Sequence, residues 1–116
     1  MKEIKDKLPI IVKACEETKA LDIKVLDIKK LTSIADYFII ASGSSTAQVK
    51  AIVDKIDEAM YKNGSHVSRK EGYLAGKWVL LDYGDIIVHV FHGESRKFYD
   101  IERLWADGKE IMIDTI

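Results

Sequence analysis

A chain of 116 residues, 47% of them hydrophobic and 32% charged, with one proline, is expected to form one globular domain, residues 1–116, and not a disordered or fibrous protein. Lys and Arg number 18 against 19 Asp and Glu, so the net charge of −1 gives no global attraction to nucleic acid or anionic membrane. No apolar run approaches the roughly 20 residues that span a bilayer, and the N-terminus lacks a signal-peptide pattern, so we expect a cytoplasmic protein without a membrane segment.

The first part of the chain predicts one helix followed by two strands. Apolar residues recur at three- and four-residue steps, the period of one helical face, at Ile4, Leu8, Ile11, Val12 and Cys15. We expect Cys15 to be a small buried residue of this helix, since a lone cysteine forms no internal disulfide. Residues 22–28 and 37–41 are rich in β-branched and aromatic side chains, which predicts two strands.

A second helix is predicted after the break at Gly43-Ser44-Ser45. Ser45 and Gln48 stand at the spacing of a capping box, in which each side chain bonds the other's free backbone N–H. Asn63-Gly64 offers the left-handed residue that commonly ends a helix. The apolar stripe between these signals is expected to face the core and consists of Val49, Ile52, Val53, Ile56, Ala59 and Met60.

Three further strands are predicted at residues 66–71, 77–82 and 85–92, where the hydrophobic period changes to two. If Tyr83-Gly84 is a two-residue hairpin loop, Trp78 lies opposite His89. One face of this hairpin is then mixed and carries Trp78, Leu80, Ile87, His89 and Phe91. The other face is uniformly apolar and is the expected main core, with Val79, Leu81, Ile86, Val88 and Val90.

A last helix is predicted after these strands, with Ser95 as its cap and Asp107-Gly108 as its stop. Its inward stripe is expected to contain Phe98, Ile101, Leu104 and Trp105. At steps of about 100° per residue, Tyr99 and Asp100 fall off this stripe and are expected at exposed edges. The elements together predict one mixed sheet of about five strands flanked by helices, an α/β fold of the α+β type.

No arrangement of residues predicts a catalytic, metal or cofactor site. His89 and His92 are three apart on a strand, so their side chains point to opposite faces and make a poor metal pair. Asp54 and Asp57 follow a Gly-Ser turn, as paired carboxylates do in nucleotidyltransferases that hold two metal ions. Those enzymes place the pair two apart on a strand, whereas Asp54 and Asp57 are three apart on a predicted helix. We therefore expect a protein that is not an enzyme and has no metal or cofactor.

Trp78 is the hairpin residue most relevant to function, and two interpretations of its role stay open. It either packs beneath a helix, as large aromatic residues commonly do, or anchors a partner protein at the surface. An exposed Tyr99 beside a Trp-bearing hairpin would form a recognition patch. For His89 we expect a packed, hydrogen-bonded ring beside Trp78.

Six segments resemble one family in order and spacing, from about Leu8 to Trp105. They are 35–45 (ADYFIIASGSS), 48–52 (QVKAI), 71–72 (EG), 78–82 (WVLLD), 84–91 (GDIIVHVF) and 96–105 (RKFYDIERLW). The pattern is similar to that of the ribosomal silencing factor family, also known as Iojap or RsfS. The resemblance implies a nucleotidyltransferase-like fold without the catalytic carboxylates.

The resemblance also implies a function. Family members bind the large ribosomal subunit through ribosomal protein L fourteen and sterically block joining of the small subunit, which slows translation when nutrients are scarce. The family's contact residues are carried over to Trp78, Tyr99 and Asp100, and further to Asp82 and Glu71. The family also implies a homodimer in isolation, whose surface overlaps the ribosome-facing one, and little direct contact with nucleic acid.

Two other functions stay open: a metal-dependent nucleotidyl or phosphoryl transfer enzyme, and a homodimeric scaffold with another partner. The missing Asp-x-Asp strand disfavours the enzyme. The C-terminal tail, Lys109 to Ile116, alternates Ile111 and Ile113 and has no assigned role.

Overall fold

The protein folds as a mixed sheet with helices on both faces, in a computed structural model that describes residues 4–113. The side chain of Ile4, predicted on the first apolar stripe, and the last residues of the tail, 114–116, lie outside the described part. The elements follow one another as α1 (Ile4–Glu17), β1 (Leu21–Asp27), β2 (Tyr37–Gly43), α2 (Thr46–Lys62), β3 (Arg69–Glu71), β4 (Trp78–Asp82), β5 (Ile86–His92), α3 (Gly93–Tyr99), α4 (Ile101–Leu104) and β6 (Lys109–Ile111).

Six strands form one sheet in the described residues, in the order β3-β4-β5-β2-β1-β6. The central pair β2 and β5 is parallel, and the other neighbouring pairs are antiparallel. This mixed sheet flanked by helices confirms the predicted fold class. The sixth strand corrects the predicted count of about five, because the C-terminal tail pairs with β1 through Val25 and Ile111. The alternation of Ile111 and Ile113 was visible in the sequence, but the partner strand β1, which lies far away in the chain, was not.

α1 and α2 cover one face of the sheet and enclose the larger core. As predicted, Cys15 is fully buried in α1, and burial, with a smaller effect of Glu16, raises the pKa of its thiol to about 12. A buried thiol that keeps its proton is a packing group rather than a nucleophile. The apolar hairpin face predicted for this core is confirmed and holds Val79, Leu81, Ile86, Val88 and Val90.

α2 follows its predicted signals closely. Ser45 Oγ accepts a hydrogen bond from Gln48 N–H at 3.1 Å, which is one half of the predicted capping box. The other half differs, because Gln48 Oε1 accepts from the backbone N–H of Ser44 at 2.6 Å rather than from that of Ser45. The helix ends at Lys62, and Gly64 takes φ +83 just beyond it. The predicted stripe is buried at Val49, Ile52, Val53, Ile56 and Met60.

The β4–β5 hairpin has the predicted faces but a register shifted by two residues. The predicted pairing of Trp78 with His89 is wrong, because the observed pairs are Trp78 with Phe91, Leu80 with His89, and Asp82 with Ile87. Since side chains alternate along a strand, a shift of two residues leaves each one on its face. The division into a mixed face and a core face therefore holds.

Tyr83 explains the different register. Its ring is buried in the larger core and its hydroxyl lies 3.5 Å from Asp57, so it cannot occupy an exposed tight turn. The loop lies one residue further along instead: Asp82 pairs with Ile87, Tyr83 N–H donates to the carbonyl of Ile86 at 2.9 Å, and Gly84 and Asp85 form the loop. Asp82 Oδ1 supports the loop by accepting from Gly84 N–H at 2.8 Å.

The predicted last helix is in fact two short helices joined at Asp100. Asp100 takes a left-handed conformation, φ 46 and ψ 50, which aspartate tolerates better than most residues. The single stripe therefore does not apply: Phe98, before the break, is 82% exposed and Leu104, after it, is 77% exposed, so the inward assignment of both was wrong. Ile101 is buried and Trp105 packs against the second core, as predicted. This core lies on the other face of the sheet and consists of Leu26, Ile28, Ala35, Phe38, Ile40, Ile87, Phe91 and Ile101.

The ends of these helices also differ from the prediction. α3 begins at Gly93, so Ser95 lies inside it, and no side chain of the described residues caps its start. α4 ends at Leu104, and the predicted stop at Asp107-Gly108 lies in the turn before β6.

Candidate partner-binding surface

The second face of the sheet is covered unevenly. α3 contacts β5 and β2 in the middle of the sheet, where Phe38 and Phe91 are buried. β4 lies nearer the edge, and its Trp78 and Leu80 are only half-buried. We term the resulting partly open group the aromatic patch, and it consists of Trp78, Leu80, Phe98 and Tyr99.

Ring contacts connect the members of the aromatic patch. The ring centroids of Tyr99 and Trp78 lie 4.7 Å apart, and those of Phe98 and Tyr99 lie 5.2 Å apart. Trp78 also stacks on the buried Phe91 at 5.0 Å, with 25° between the ring planes. Such pairs stabilise a fold beyond their buried area. Because Tyr99 is 48% exposed and Phe98 is largely exposed, the patch offers apolar surface to solvent.

Trp78 combines the two interpretations that the sequence left open. Its ring packs against the second core, as a buried tryptophan would, and part of it remains exposed. Its Nε1–H donates to Nδ1 of His89 at 3.1 Å. The packed, hydrogen-bonded histidine predicted beside Trp78 is therefore confirmed. The use of Trp78 as a partner anchor stays a prediction.

His89 is a neutral histidine enclosed by aromatic rings. It is 5% exposed, and its ring meets that of Phe38 edge-on at 4.7 Å. Burial lowers the pKa of His89 to about 4. Because Nδ1 accepts the indole hydrogen of Trp78, the neutral ring carries its own hydrogen on Nε2. Within residues 4–113, Nε2 finds no hydrogen-bond partner.

Stability should fall as the pH is lowered from about 6.5 towards the folded-state pKa of about 4. In this window the unfolded chain binds a proton at His89 that the folded protein excludes, which favours unfolding. The expected loss from this group is about 2 kcal/mol between pH 7 and pH 5. Urea unfolding of the wild type and of His89→Phe at both pH values measures it. An equal loss in the two proteins would contradict the assignment to His89.

Tyr99 is exposed as predicted, but it is not independent of the second core. Its ring covers Trp78, so truncating it would uncover the indole as well as remove a contact. Phe98 was missed as a surface residue because the helical stripe placed it inward. The only sequence signal for its exposure was Asp100, one of the few residues that tolerate the left-handed conformation that ends the helix there.

The three acidic residues carried over from the family lie in two places. Strand pairing sets Glu71 opposite Leu80, and Asp82 follows Leu80 by two residues, so both acids share the sheet face of the aromatic patch. Asp100 is exposed and lines a separate open cleft at the carboxyl ends of β2 and β5. Glu71 and Asp82 thus join the face of the aromatic patch, whereas Asp100 borders the cleft.

Arg96 is a buried residue whose role the sequence did not reveal. The residue is 8% exposed, and its guanidinium donates from Nε to Glu102 at 2.7 Å and from Nη1 to Ser42 Oγ at 2.8 Å. Glu102 also pairs with Lys24 at 2.9 Å. The pKa of Glu102 is lowered, mainly by the hydrogen bond from Arg96. The network ties α3 and α4 to β1 and β2, and so helps to fix where α3 places Phe98 and Tyr99.

The carboxylates considered for metal chemistry have other partners. Asp54 Oδ2 accepts from the hydroxyl of Tyr73 at 3.0 Å, and Asp57 Oδ2 pairs with Lys70 at 3.1 Å. Both acids lie on α2 and fasten the segment around β3 to that helix. In the part of the chain that the structure describes, no group of three or more His, Cys, Asp or Glu is placed to hold a metal ion.

Comparison with known proteins identifies the family to which this chain belongs. Residues 1–116 match the family model described as "Ribosomal silencing factor during starvation". The chain belongs to the ribosomal silencing factor family. The resemblance noted in six sequence segments is thereby confirmed.

Relatives in the ribosomal silencing factor family match most of the chain. RsfS of Bacillus subtilis is 43% identical over 100 residues, which cover 86% of this chain and 85% of that protein. A crystal structure of a Chromobacterium violaceum protein matches with a TM-score of 0.89 at 38% identity, over 96% of this chain and 92% of that one. The chloroplastic protein Iojap of Zea mays is 36% identical over 87% of this chain, which corresponds to 44% of its own length.

The names of several bacterial relatives describe regulation rather than catalysis. The relatives of Bacillus subtilis and Chromobacterium violaceum are both named as silencing factors. Within the described residues, no helix combines the length and the apolar character that crossing a membrane requires.

Proposed function

We propose that this chain is a ribosomal silencing factor that docks on the large ribosomal subunit through ribosomal protein L fourteen. Bound there, it sterically blocks joining of the small subunit and represses translation when nutrients are limiting. The observation that carries the proposal is the aromatic patch, an exposed apolar surface on a chain of the ribosomal silencing factor family. A steric mechanism requires such a docking surface and no catalytic group.

The chemistry of the aromatic patch suits a protein partner. Tryptophan and tyrosine are enriched at the centres of protein interfaces, where they bury a large area in desolvated pockets. Glu71 and Asp82 share the face of the patch, so a matching partner surface carries basic residues beside an apolar centre. The net charge of −1 supports little direct contact with ribosomal RNA. The contact residues of the proposal are Trp78, Tyr99, Asp100, Asp82 and Glu71.

The purified protein should co-sediment with free large ribosomal subunits and not with small subunits, because the proposed docking site belongs to the large subunit alone. In a mixture of separated subunits, added protein should reduce the fraction that joins into whole ribosomes. Sucrose-gradient sedimentation with detection of the protein in each fraction measures both effects. Equal binding to the two subunits, or binding to neither, would overturn the proposal.

The alternative function, a metal-dependent nucleotidyltransferase-like enzyme, predicts turnover of nucleoside triphosphates. We expect none with magnesium or manganese, because Asp54 and Asp57 lie on a helix and bond to Tyr73 and Lys70. Release of pyrophosphate measures turnover. Metal-dependent release that disappears in Asp54→Ala or Asp57→Ala would establish the alternative.

The homodimer and the cytoplasmic location are also parts of the proposal. An apolar surface such as the aromatic patch can pair two copies of the chain when no ribosome is present, so the two interactions would compete for it. Sedimentation equilibrium of the free protein measures the dimer.

A further inference from the structure

The indole N–H of Trp78 is used inside the protein rather than offered to solvent. It is the ring's sole hydrogen-bond donor, and it donates to Nδ1 of the buried His89 at 3.1 Å. Phe91 stacks on the indole at 5.0 Å, and Tyr99 contacts it at 4.7 Å. What Trp78 can present to a partner is therefore apolar ring surface.

His89 is a destabilising choice for a packed position. It is 5% exposed, and in the part of the chain that the structure describes its Nε2 has no hydrogen-bond partner. A buried N–H without an acceptor opposes folding, and an apolar side chain of similar volume would pack between Phe38 and Phe91 without this cost. A residue that breaks the rule that buried polar groups are hydrogen-bonded is expected at a functional site. The hydrogen bond that its side chain does make is the one to Trp78.

We propose that His89 is a positioning residue for partner binding: it accepts the hydrogen bond from the indole N–H of Trp78 and fixes the ring so that an apolar edge faces the partner. This inference rests on the proposed function, in which the aromatic patch is the docking surface. The partner site that fits such an edge is an apolar pocket without an acceptor for the indole, because an acceptor there would compete with His89.

The indole resonance of Trp78 in a proton–nitrogen NMR spectrum reports this hydrogen bond directly. The chain has two tryptophans, so a Trp105→Phe variant assigns the two indole signals. His89→Phe keeps a ring of similar size and removes the acceptor, whereas His89→Asn keeps an acceptor oxygen near the position of Nδ1. Hydrogen exchange of the Trp78 indole should be slow in the wild type and in His89→Asn, and about tenfold faster in His89→Phe.

Affinity for isolated large ribosomal subunits measures the consequence for docking. His89→Phe should bind about three- to tenfold more weakly than the wild type, as expected for loss of one hydrogen bond, and His89→Asn should stay within about twofold. In a Trp78→Phe background, which has no indole N–H, adding His89→Phe should change the affinity no further. Binding is measured below the melting temperature of every variant, so that each protein is folded.

Three results would overturn the positioning role. They are equal indole exchange in the wild type and His89→Phe, unchanged affinity of His89→Phe, and an affinity loss that persists in the Trp78→Phe background. The last result would mark His89 as a residue that acts on the fold alone. If the wild type itself does not bind large subunits, the proposed function fails, while indole exchange still decides whether His89 holds Trp78.

Discussion

Trp78→Ala is expected to weaken binding to large ribosomal subunits at least about thirtyfold, or about 2 kcal/mol. The indole lies at the centre of the aromatic patch, in contact with Phe91 and Tyr99. The same change should lower the free energy of unfolding by roughly 3 kcal/mol, near the lower end for large-to-small substitution of a buried aromatic residue, because Trp78 packs against the second core but is partly exposed. Equilibrium binding and urea unfolding measure the two effects.

Phe98→Ala is the matched control for Trp78→Ala. Phe98 is 82% exposed, so its truncation should change stability by no more than about 0.5 kcal/mol. It should still weaken binding, though less than Trp78→Ala does, since it removes apolar surface from the same patch. A Trp78→Ala protein that binds normally, or that binds poorly only because it is unfolded, would contradict the anchor role.

Gly72→Ala is expected to lower the free energy of unfolding by about 3 kcal/mol or more. Gly72 has φ +80, and a Cβ there would lie 2.1 Å from the backbone carbonyl oxygen of Trp78. That oxygen belongs to β4 and cannot move without displacing the strand. The variant should therefore also bind large subunits more weakly, because the displaced segment carries Trp78.

Gly64→Ala separates the two causes of the Gly72→Ala effect. Gly64 has a similar φ of +83, but nothing lies within 4 Å of the added Cβ. Gly64→Ala should lower the free energy of unfolding by only about 1 kcal/mol, the cost of placing a residue with a Cβ in the left-handed conformation. Urea unfolding of the two variants under the same conditions makes the comparison. Equal losses would mean that the contact with the Trp78 carbonyl contributes nothing.

Short-range signals in the sequence were sufficient for α2 and for the two faces of the hairpin. Ser45 and Gly64 mark the helix ends through their own backbone chemistry, which depends on a few neighbouring residues. The alternation that separates Trp78 and His89 from the core face is a property of any strand. It survives a register error of two residues, so the partnership of Trp78 with His89 was predictable even though the pairing was wrong.

Part of the candidate surface could also be predicted from the sequence. Trp78 and Tyr99 were expected at a recognition patch, and they are in contact. The exposure of Phe98 was not found, because the predicted helix joined it to a stripe with residues beyond the break at Asp100. The role of Arg96 was not found, because its partner Ser42 is far away in the chain. A helical wheel assumes one continuous helix, so it does not describe how the faces of two helices joined at a break are related.

Only the tertiary structure decided the hairpin register, the division of the last helix and the sixth strand. In each case residues far apart in the chain determine the local conformation. Tyr83 lies outside the turn because its ring packs in the core beneath α2. α3 is held to β2 by the hydrogen bond between Arg96 and Ser42. β6 exists because β1 offers an unpaired edge to Lys109–Ile111. The free energy of these long-range contacts exceeds the weak preferences of the local sequence, which therefore cannot predict them.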